Sequence, residues 1–527
     1  MSAGVATDIW RPRHNQWAIA LTVTLATFME VLDTSIANVA LPHIAGGLSA
    51  GADESTWVLT SYLVSNAVIL PISAWMSDRF GRKRFYMTCV ALFTASSFLC
   101  GMAPSLPMLI FFRVLQGMGG GGLAPSEQAI LADTFEPSKR GMAFAIYGMA
   151  VVLAPAIGPT LGGYITDNFS WRWIFYINVP VGLLSLLLTS RMVEDPPHMV
   201  HAREAAARTP VDFTGLVLVG LGLGCLQVVL DKGQEDDWFS SPFIASLAGI
   251  ALVALLTFIV WEWRNSHPVL NLRLFKRRSF VAANMLMLSL GAMLFGTTVL
   301  IPQFLQMQMH WSATQAGLTL SGGGVVVFLM MPMIGRMVGK VDSRKMVAVG
   351  FLISGFSLIY MTSLYLGIDF RMATIYRAIQ SAGLAFLFVP INTLAYLGVP
   401  AEDNNQVSGI VNLSRNMGGS IGISAVTTLL AQRAQIHQHD LSWHLSGGDL
   451  PFMRSLSLLS RRLVSGGLSP FNANLQSYGR LYLTVHGQAQ TLAYIDTIFI
   501  LGVICFLMVP VAFLAQRPRP GEVHVGE

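Results

Sequence analysis

Apolar residues along this chain fall into long unbroken runs rather than the short alternations of a soluble protein. The first run starts near Trp17 and stays apolar for about twenty residues, long enough to cross roughly 30 Å of hydrocarbon as a helix rising 1.5 Å per residue. Comparable runs recur almost to the end. The pattern predicts fourteen membrane-spanning helices, at 17–38, 57–77, 86–103, 108–132, 142–164, 173–191, 213–231, 243–262, 280–302, 315–336, 346–366, 372–397, 409–430 and 493–515. One gap differs from the other, shorter ones: 431–491 separates the last two runs, is rich in His, Ser and Leu, and contains RSLSLLSRRLVSGG, which has the spacing of an amphipathic helix. That segment reads as a short cap, a docking surface or a tolerated insertion.

Composition agrees with this pattern. Hydrophobic residues make up 53% and charged residues 12% of the 527 positions, about half the roughly 25% charge of a soluble domain. The chain therefore reads as an all-α integral membrane protein. A cleaved signal peptide is the alternative for the first run, because Arg11, Arg13 and His14 precede it. The run is too long for a signal core and has no clear small-residue cleavage site, so it is read as a span.

When the loops are assigned alternately to the two sides, one side collects 22 of the 33 Lys and Arg, the other 8, and 3 fall inside spans. Five of those 8 lie in the long 431–491 loop, where the charge rule counts less. Both termini are predicted cytoplasmic by the positive-inside rule. The net charge of +5 follows from this asymmetry and gives no case for nucleic-acid binding. Cys89, Cys100, Cys225 and Cys505 all fall in predicted spans and read as small apolar residues.

Two distant stretches resemble each other. RVLQGMGGGGLAP, from Arg113, is echoed by RAIQSAGLAFLFVP, from Arg377, at an offset of 264, and ISAWMSDRFGRKR is echoed more weakly by MIGRMVGKVDSRK. Two halves of six helices explain the echo, a common transporter plan with the substrate site near the midplane between repeats. The offset is too long for six helices and leaves one extra pair. The expected organisation is a cytoplasmic N-terminus at 1–16, a six-helix bundle at 17–191 and a linker at 192–278 carrying the inserted pair 213–231 and 243–262. A second bundle follows at 279–515, including the extracytoplasmic loop 431–491, and then a cytoplasmic tail at 516–527.

Ionisable groups inside a span cost several kcal/mol and are candidates for function. FMEVLDTSIANVALP, from Phe28, places Glu30 and Asp33 on adjacent parts of one helix face. Asp33 lies sixteen residues, roughly 24 Å, from the cytoplasmic start of its span, and Arg113 in the fourth span lies at similar depth. An ion pair forms if the two helices touch. A carboxylate in apolar surroundings holds its proton more tightly, and an approaching arginine loosens it, so a motion that separates the pair loads or releases a proton. The alternative is a permanent pair that only fixes packing. Glu127, beside Gln128, is a second titrating or cation-binding candidate, or a carboxylate facing the cytoplasmic vestibule.

Five segments then carry a family resemblance: LDTSIANVALP, AWMSDRFGRKR, RVLQGMGGGG, GMAVVLAPAIGPTLGG and WRWIFYINVPVG. Together they resemble the signature motifs of the major facilitator superfamily, and in particular its fourteen-span drug/proton antiporter family. The resemblance spans the chain and implies two six-helix bundles plus two inserted helices. In the family pattern Asp78, Arg79, Gly81 and Arg82 tether helix ends at a cytoplasmic gate, with Ala74 here where the pattern has Gly. The glycine-proline set Gly148, Pro155, Gly158, Pro159, Gly162 and Gly163 marks antiporters, against a generic small-residue packing face as the alternative.

The resemblance implies export of hydrophobic or amphipathic compounds across a bacterial inner membrane, driven by the proton gradient without a cofactor. It also implies a periplasmic adaptor and an outer-membrane channel as partners. Gln116, Gln128, Arg377, Gln380 and Asn392 are candidates for a substrate cavity, and Arg415 and Asn412 are further polar groups in the second half. The many Met and Phe residues favour apolar substrates over sugars. An exporter of one native metabolite is the alternative within transport; a non-transporting receptor or a membrane enzyme fits less well. GMGGGG has no following GK[ST] and no preceding strand, so it does not read as a phosphate loop. His437, His439 and His444 lie close in sequence but lack supporting metal ligands.

Overall fold

In hydrocarbon a backbone N–H or C=O finds no water, so an apolar run is satisfied by its own helical ladder. The computed structural model describes residues 12–197, 199, 203–204, 210–363, 365–445 and 449–517, and among these there is no β-strand longer than one isolated bridge. Thirteen helices among the described residues are long and apolar enough to span a membrane.

In the first half these are α1 (Gln16–Leu48), α2 (Ala52–Phe80), α3 (Arg82–Met102), a fourth span built from α4 (Leu106–Gly120) and α5 (Leu123–Thr134), α6 (Pro137–Asn168), and a sixth from α7 (Trp173–Tyr176) and α8 (Asn178–Met192). The inserted pair is α9 (Phe213–Lys232) and α10 (Pro242–Arg264). The second half has α11 (Arg278–Met307), α12 (Ala313–Met337), α13 (Ser343–Met361), α14 (Phe370–Ala395), α15 (Asn404–Ser442) and, after the short α16 (Leu450–Ser465), α17 (Pro470–Ala512).

The sequence pattern misses two breaks. The fourth span breaks at Gly121–Gly122, inside GMGGGG. These glycines serve packing: an added Cβ would lie 2.4 Å from the Tyr62 carbonyl oxygen at Gly117, 2.7 Å from the Phe93 nitrogen at Gly119 and 2.6 Å from the Asn66 carbonyl oxygen at Gly121. The fourth span thus touches the backbones of α2 and α3, which no larger residue permits. The sixth span breaks at Ile177, just before Pro180 in the first turn of α8, where a missing N–H is tolerated.

The helix predicted at 409–430 is present as α15, yet it is not among the thirteen. Asn404, Asn405, Gln406, Asn412 and Arg415 make it too polar for lipid, and all five are buried. It is enclosed by α11, α17, α2 and α5, so its polar groups meet protein partners. Gly418 and Gly422 bring it against α11, where a Cβ would lie 2.0 Å from the Leu288 oxygen and 2.5 Å from the Ala292 oxygen.

The packing repeats between halves. α1 lies on α6 as α11 lies on α15; α2 and α3 lie on α4 as α12 and α13 lie on α14; α3 meets α8 as α13 meets α17. The halves meet chiefly through α6 with α12 and α2 with α15, the same two positions of the repeat in exchanged roles. α9 packs on α2 and α15, and Ser420 donates to the Gln227 Oε1 at 2.9 Å. α10 packs on α9 and turns Leu252, Val253, Leu256, Ile259 and Val260 outward. At 39 and 43 residues, α15 and α17 reach about 58 and 64 Å, well beyond roughly 30 Å of hydrocarbon. Their extensions are joined by His437, whose Nε2 lies 2.9 Å from Asp496 Oδ2, and by α16 packed on α17.

Candidate functional site

Three consecutive layers of buried polar side chains run through the first half. In the outermost, Arg113 Nη1 donates to Asp33 Oδ2 at 2.6 Å, and both side chains are sealed from solvent. Gln116 Nε2 and Asn178 Nδ2 donate to Asp33 Oδ1 at 3.0 and 2.7 Å. Arg113 also reaches Gln116 Oε1 at 2.8 Å and the Val58 carbonyl at 3.0 Å, and its guanidinium lies 4.3 Å from the Tyr62 ring centre. Its Nη2 has no partner. The pair is held by charge-assisted bonds but not fully satisfied, so its separation is less costly than that of a saturated one.

One turn toward the cytoplasm, Glu30 Oε1 accepts from Tyr62 Oη at 3.0 Å and from Asn66 Nδ2 at 3.2 Å. Asn66 is in turn reached by Asn416 Nδ2 of the second half at 3.2 Å. Glu127 is fully buried; its Oε1 accepts from Thr24 Oγ1 at 2.5 Å and its Oε2 has no partner. It therefore does not face an open vestibule in this conformation. Beside it a chain of bonds crosses the halves: Arg415 Nη1 donates to Tyr147 Oη at 2.6 Å, Tyr147 to Asn412 Oδ1 at 3.0 Å, and Asn412 Nδ2 to Gln128 Oε1 at 2.9 Å.

The third layer closes the cytoplasmic end. Arg82 is 1% exposed, pairs with Asp133 and donates to Asn405 Oδ1 at 2.7 Å and the Ala129 carbonyl at 3.1 Å. Asn405 Nδ2 donates to Asp78 Oδ1 at 2.5 Å, and Asn404 Nδ2 to Asp133 Oδ1 at 2.6 Å. Both asparagines sit at the start of α15, so they bind the halves together. Gly81 has φ +90° and connects α2 to α3, a conformation that favours glycine. Arg79 is partly exposed beside it. In this structure these contacts close the end of the bundle that carries Gly81.

α6 supplies a contact surface on two sides. A Cβ on Gly158 would lie 2.3 Å from Ser35 Oγ, and one on Gly162 3.1 Å from Ile36 Cγ2, so both glycines bring α1 close. Gly148 faces Phe388 and Met331 of the second half, while Gly163 faces open space. Pro155 and Pro159 lie inside the helix, and the Pro155 carbonyl accepts from Ser35 Oγ at 3.4 Å.

The five cavity candidates separate. Gln116 belongs to the Asp33 layer and Gln128 to the chain between halves. Asn392 donates to its own helix at Phe388 O, 2.9 Å away. Arg377 and Gln380 bond each other at 2.7 Å. Sequence reasoning missed Tyr147, Asn178, Tyr62, Asn66 and Asn405. Polar residues in the middle of apolar runs are the signal that marks Asn178, Asn66 and Tyr147; nothing in the sequence signals Asn405, at the mouth of a loop.

Residues 23–423 match the sequence profile of the Major Facilitator Superfamily. The chain is similar to the fatty acid resistance protein FarB of Neisseria gonorrhoeae, at 36% identity covering 95% of this chain and 96% of that one. It is similar to the multidrug export protein EmrB of Escherichia coli K12, at 39% identity over 80% of this chain and 82% of that one. Among solved structures, the human organic anion transporter MFSD10 shares the fold with a TM-score of 0.57 at 13% identity, covering 94% of this chain and all of that one. At that identity the likeness speaks to fold alone.

Proposed function

This chain belongs to the Major Facilitator Superfamily, and from that premise we propose that it is a proton-coupled antiporter exporting hydrophobic or amphipathic toxic compounds across a bacterial inner membrane. The observation that carries the reading is the Asp33–Arg113 pair, sealed from solvent and held on one side by Gln116 and Asn178. A carboxylate there exchanges its arginine for a proton when the helices around it shift, since protonation removes the charge that holds the pair. Glu30 and Glu127, both buried carboxylates with neutral hydrogen-bond donors, continue the path inward.

In this reading the halves rock about the α6–α12 and α2–α15 contacts. The Arg82–Asp133–Asn405 cluster holds the cytoplasmic side closed while the outer side releases substrate. Opening breaks the cluster, and proton loading at Asp33 favours return. The names of the similar proteins, one a multidrug export protein and one a fatty acid resistance protein, support export of toxic compounds. A fatty-acid exporter is the second reading, supported by the near full-length similarity to FarB. The extensions of α15 and α17 with α16 provide a surface for a periplasmic adaptor that continues to an outer-membrane channel. The test is purified protein in liposomes with an imposed pH gradient. Accumulation of a lipophilic compound that vanishes when the gradient is collapsed is expected; gradient-independent accumulation, or none over a broad panel, contradicts it.

A further inference from the structure

The repeat offset of 264 places Arg377 on Arg113, Gln380 on Gln116 and Thr297 on Asp33. The structure reproduces two of the first-half contacts at the same arginine atom. Arg377 Nη1 donates to Gln380 Oε1 at 2.7 Å, as Arg113 Nη1 does to Gln116 at 2.8 Å, and to Thr297 Oγ1 at 3.1 Å, as Arg113 does to Asp33. One thing is missing: the second half has a hydroxyl where the first has a carboxylate. Arg377 is 4% exposed and bonds only neutral groups, with Thr298 as a third at 3.4 Å. Its Nε is without a partner, and so is Gln380 Nε2, the atom whose counterpart donates to Asp33. The second half is thus a first-half ion-pair site with its anion removed. A buried guanidinium without a counter-charge is costly, and the orphaned Arg377 Nε and Gln380 Nε2 are donors that a carboxylate can satisfy.

One turn beyond this cradle, toward the outer side, Leu300, Ile301, Phe304, Leu305 and Tyr376 form an apolar patch around a void with room for about one water. Leu300 and Ile301 follow Thr297 and Thr298 by one turn on α11, and Tyr376 adjoins Arg377 on α14. We propose that Arg377 and Gln380 bind the carboxylate of an amphipathic organic anion whose apolar tail lies along these apolar side chains. The proposal rests on the export reading and names a class of its substrates. The two halves then divide the work: in the first, Arg113 is neutralised by Asp33 and the site handles protons; in the second, Arg377 is neutralised by cargo.

The test measures binding to the full-length protein in lipid nanodiscs, using dodecanoate and biphenyl-4-carboxylate as acyl and aromatic acids and dodecyltrimethylammonium as a cation of similar size. Arg377→Gln removes the cation of the cradle. Thr297→Asp leaves Arg377 in place and supplies the missing counter-ion, so it adds a pair instead of opening a hole. Wild type is expected to bind at least one of the two acids, and the tighter one identifies the tail chemistry. Both variants should weaken that acid by at least about tenfold, as loss of a charge-assisted carboxylate contact requires, with dodecyltrimethylammonium changed by less than about threefold. Unchanged acid binding in Thr297→Asp, equal loss of acid and cation in that variant, or no acid binding by wild type overturns the site. Each of those results leaves the export reading intact if wild type still exports the cation against a proton gradient, whereas loss of that export removes the reading whatever the binding data show.

Discussion

Replacing Asp33 with Asn keeps the shape of the side chain and removes its charge. Asp33 accepts three hydrogen bonds, one of them from Arg113. Removing one partner of a buried ion pair costs about 3–5 kcal/mol, because the other charge is left uncompensated. Arg113 retains Gln116, the Val58 carbonyl and the Tyr62 ring, which places the expected loss near the lower end, about 3 kcal/mol. For a folding unit of half this chain, that corresponds to a fall of about 6–12 °C in thermal midpoint. Asp33→Asn combined with Arg113→Gln removes both charges. It should recover most of the midpoint, a coupling of about 2–3 kcal/mol, while substrate-driven proton movement stays lost in both variants and in Arg113→Gln alone. Thermal unfolding of purified protein and pH-gradient transport in liposomes supply the two readouts. A double variant that transports at the wild-type rate refutes the proton role, and single variants with unchanged midpoints refute the assigned energetics.

Gly158→Ala should reduce both stability and transport, since its Cβ would lie 2.3 Å from Ser35 Oγ, whereas Gly163→Ala faces open space and should stabilise α6 by about 0.5–1 kcal/mol; equal effects contradict the packing account. Asn405→Ala removes the bridge between Asp78 and Arg82, costs the closed cytoplasmic state about 1–3 kcal/mol and should raise labelling of cysteines placed along the inner ends of α5 and α15. Tyr147→Phe deletes the hydroxyl shared by Arg415 and Asn412, and should slow transport without removing protein from the membrane. Asp342 lies outside the spans, and the Arg344 guanidinium holds its carboxyl below the usual range. The stabilisation it provides is therefore complete above the unfolded-state pKa and lost as pH falls through the lower folded value, so Asp342→Asn should flatten the acid limb of a stability profile.

The span pattern was legible because burial in lipid demands a long apolar run, and Asp33 and Arg113 were legible because charge in such a run is rare. Their matched depth anticipated the pair that the structure forms. The partners Asn178 and Tyr62 were harder to see, since an amide or phenol in a helix is common and only the three-dimensional register turns it toward a carboxylate. α15 shows the opposite limit: its polar residues weaken the apolar signal because the helix faces protein instead of lipid. The breaks at Gly121 and Ile177 depend on neighbouring backbones approaching within contact distance, information that one strand of sequence does not carry. Arg377 was visible as a candidate, but its missing counter-ion emerges only when both halves are set side by side.

The most direct measurement is proton release from unbuffered, detergent-solubilised protein on addition of a lipophilic substrate, followed with a pH indicator. The account predicts release from wild type, with none of comparable size from Asp33→Asn. Release of the same size from both, or none from a wild type shown to bind the substrate, would contradict it.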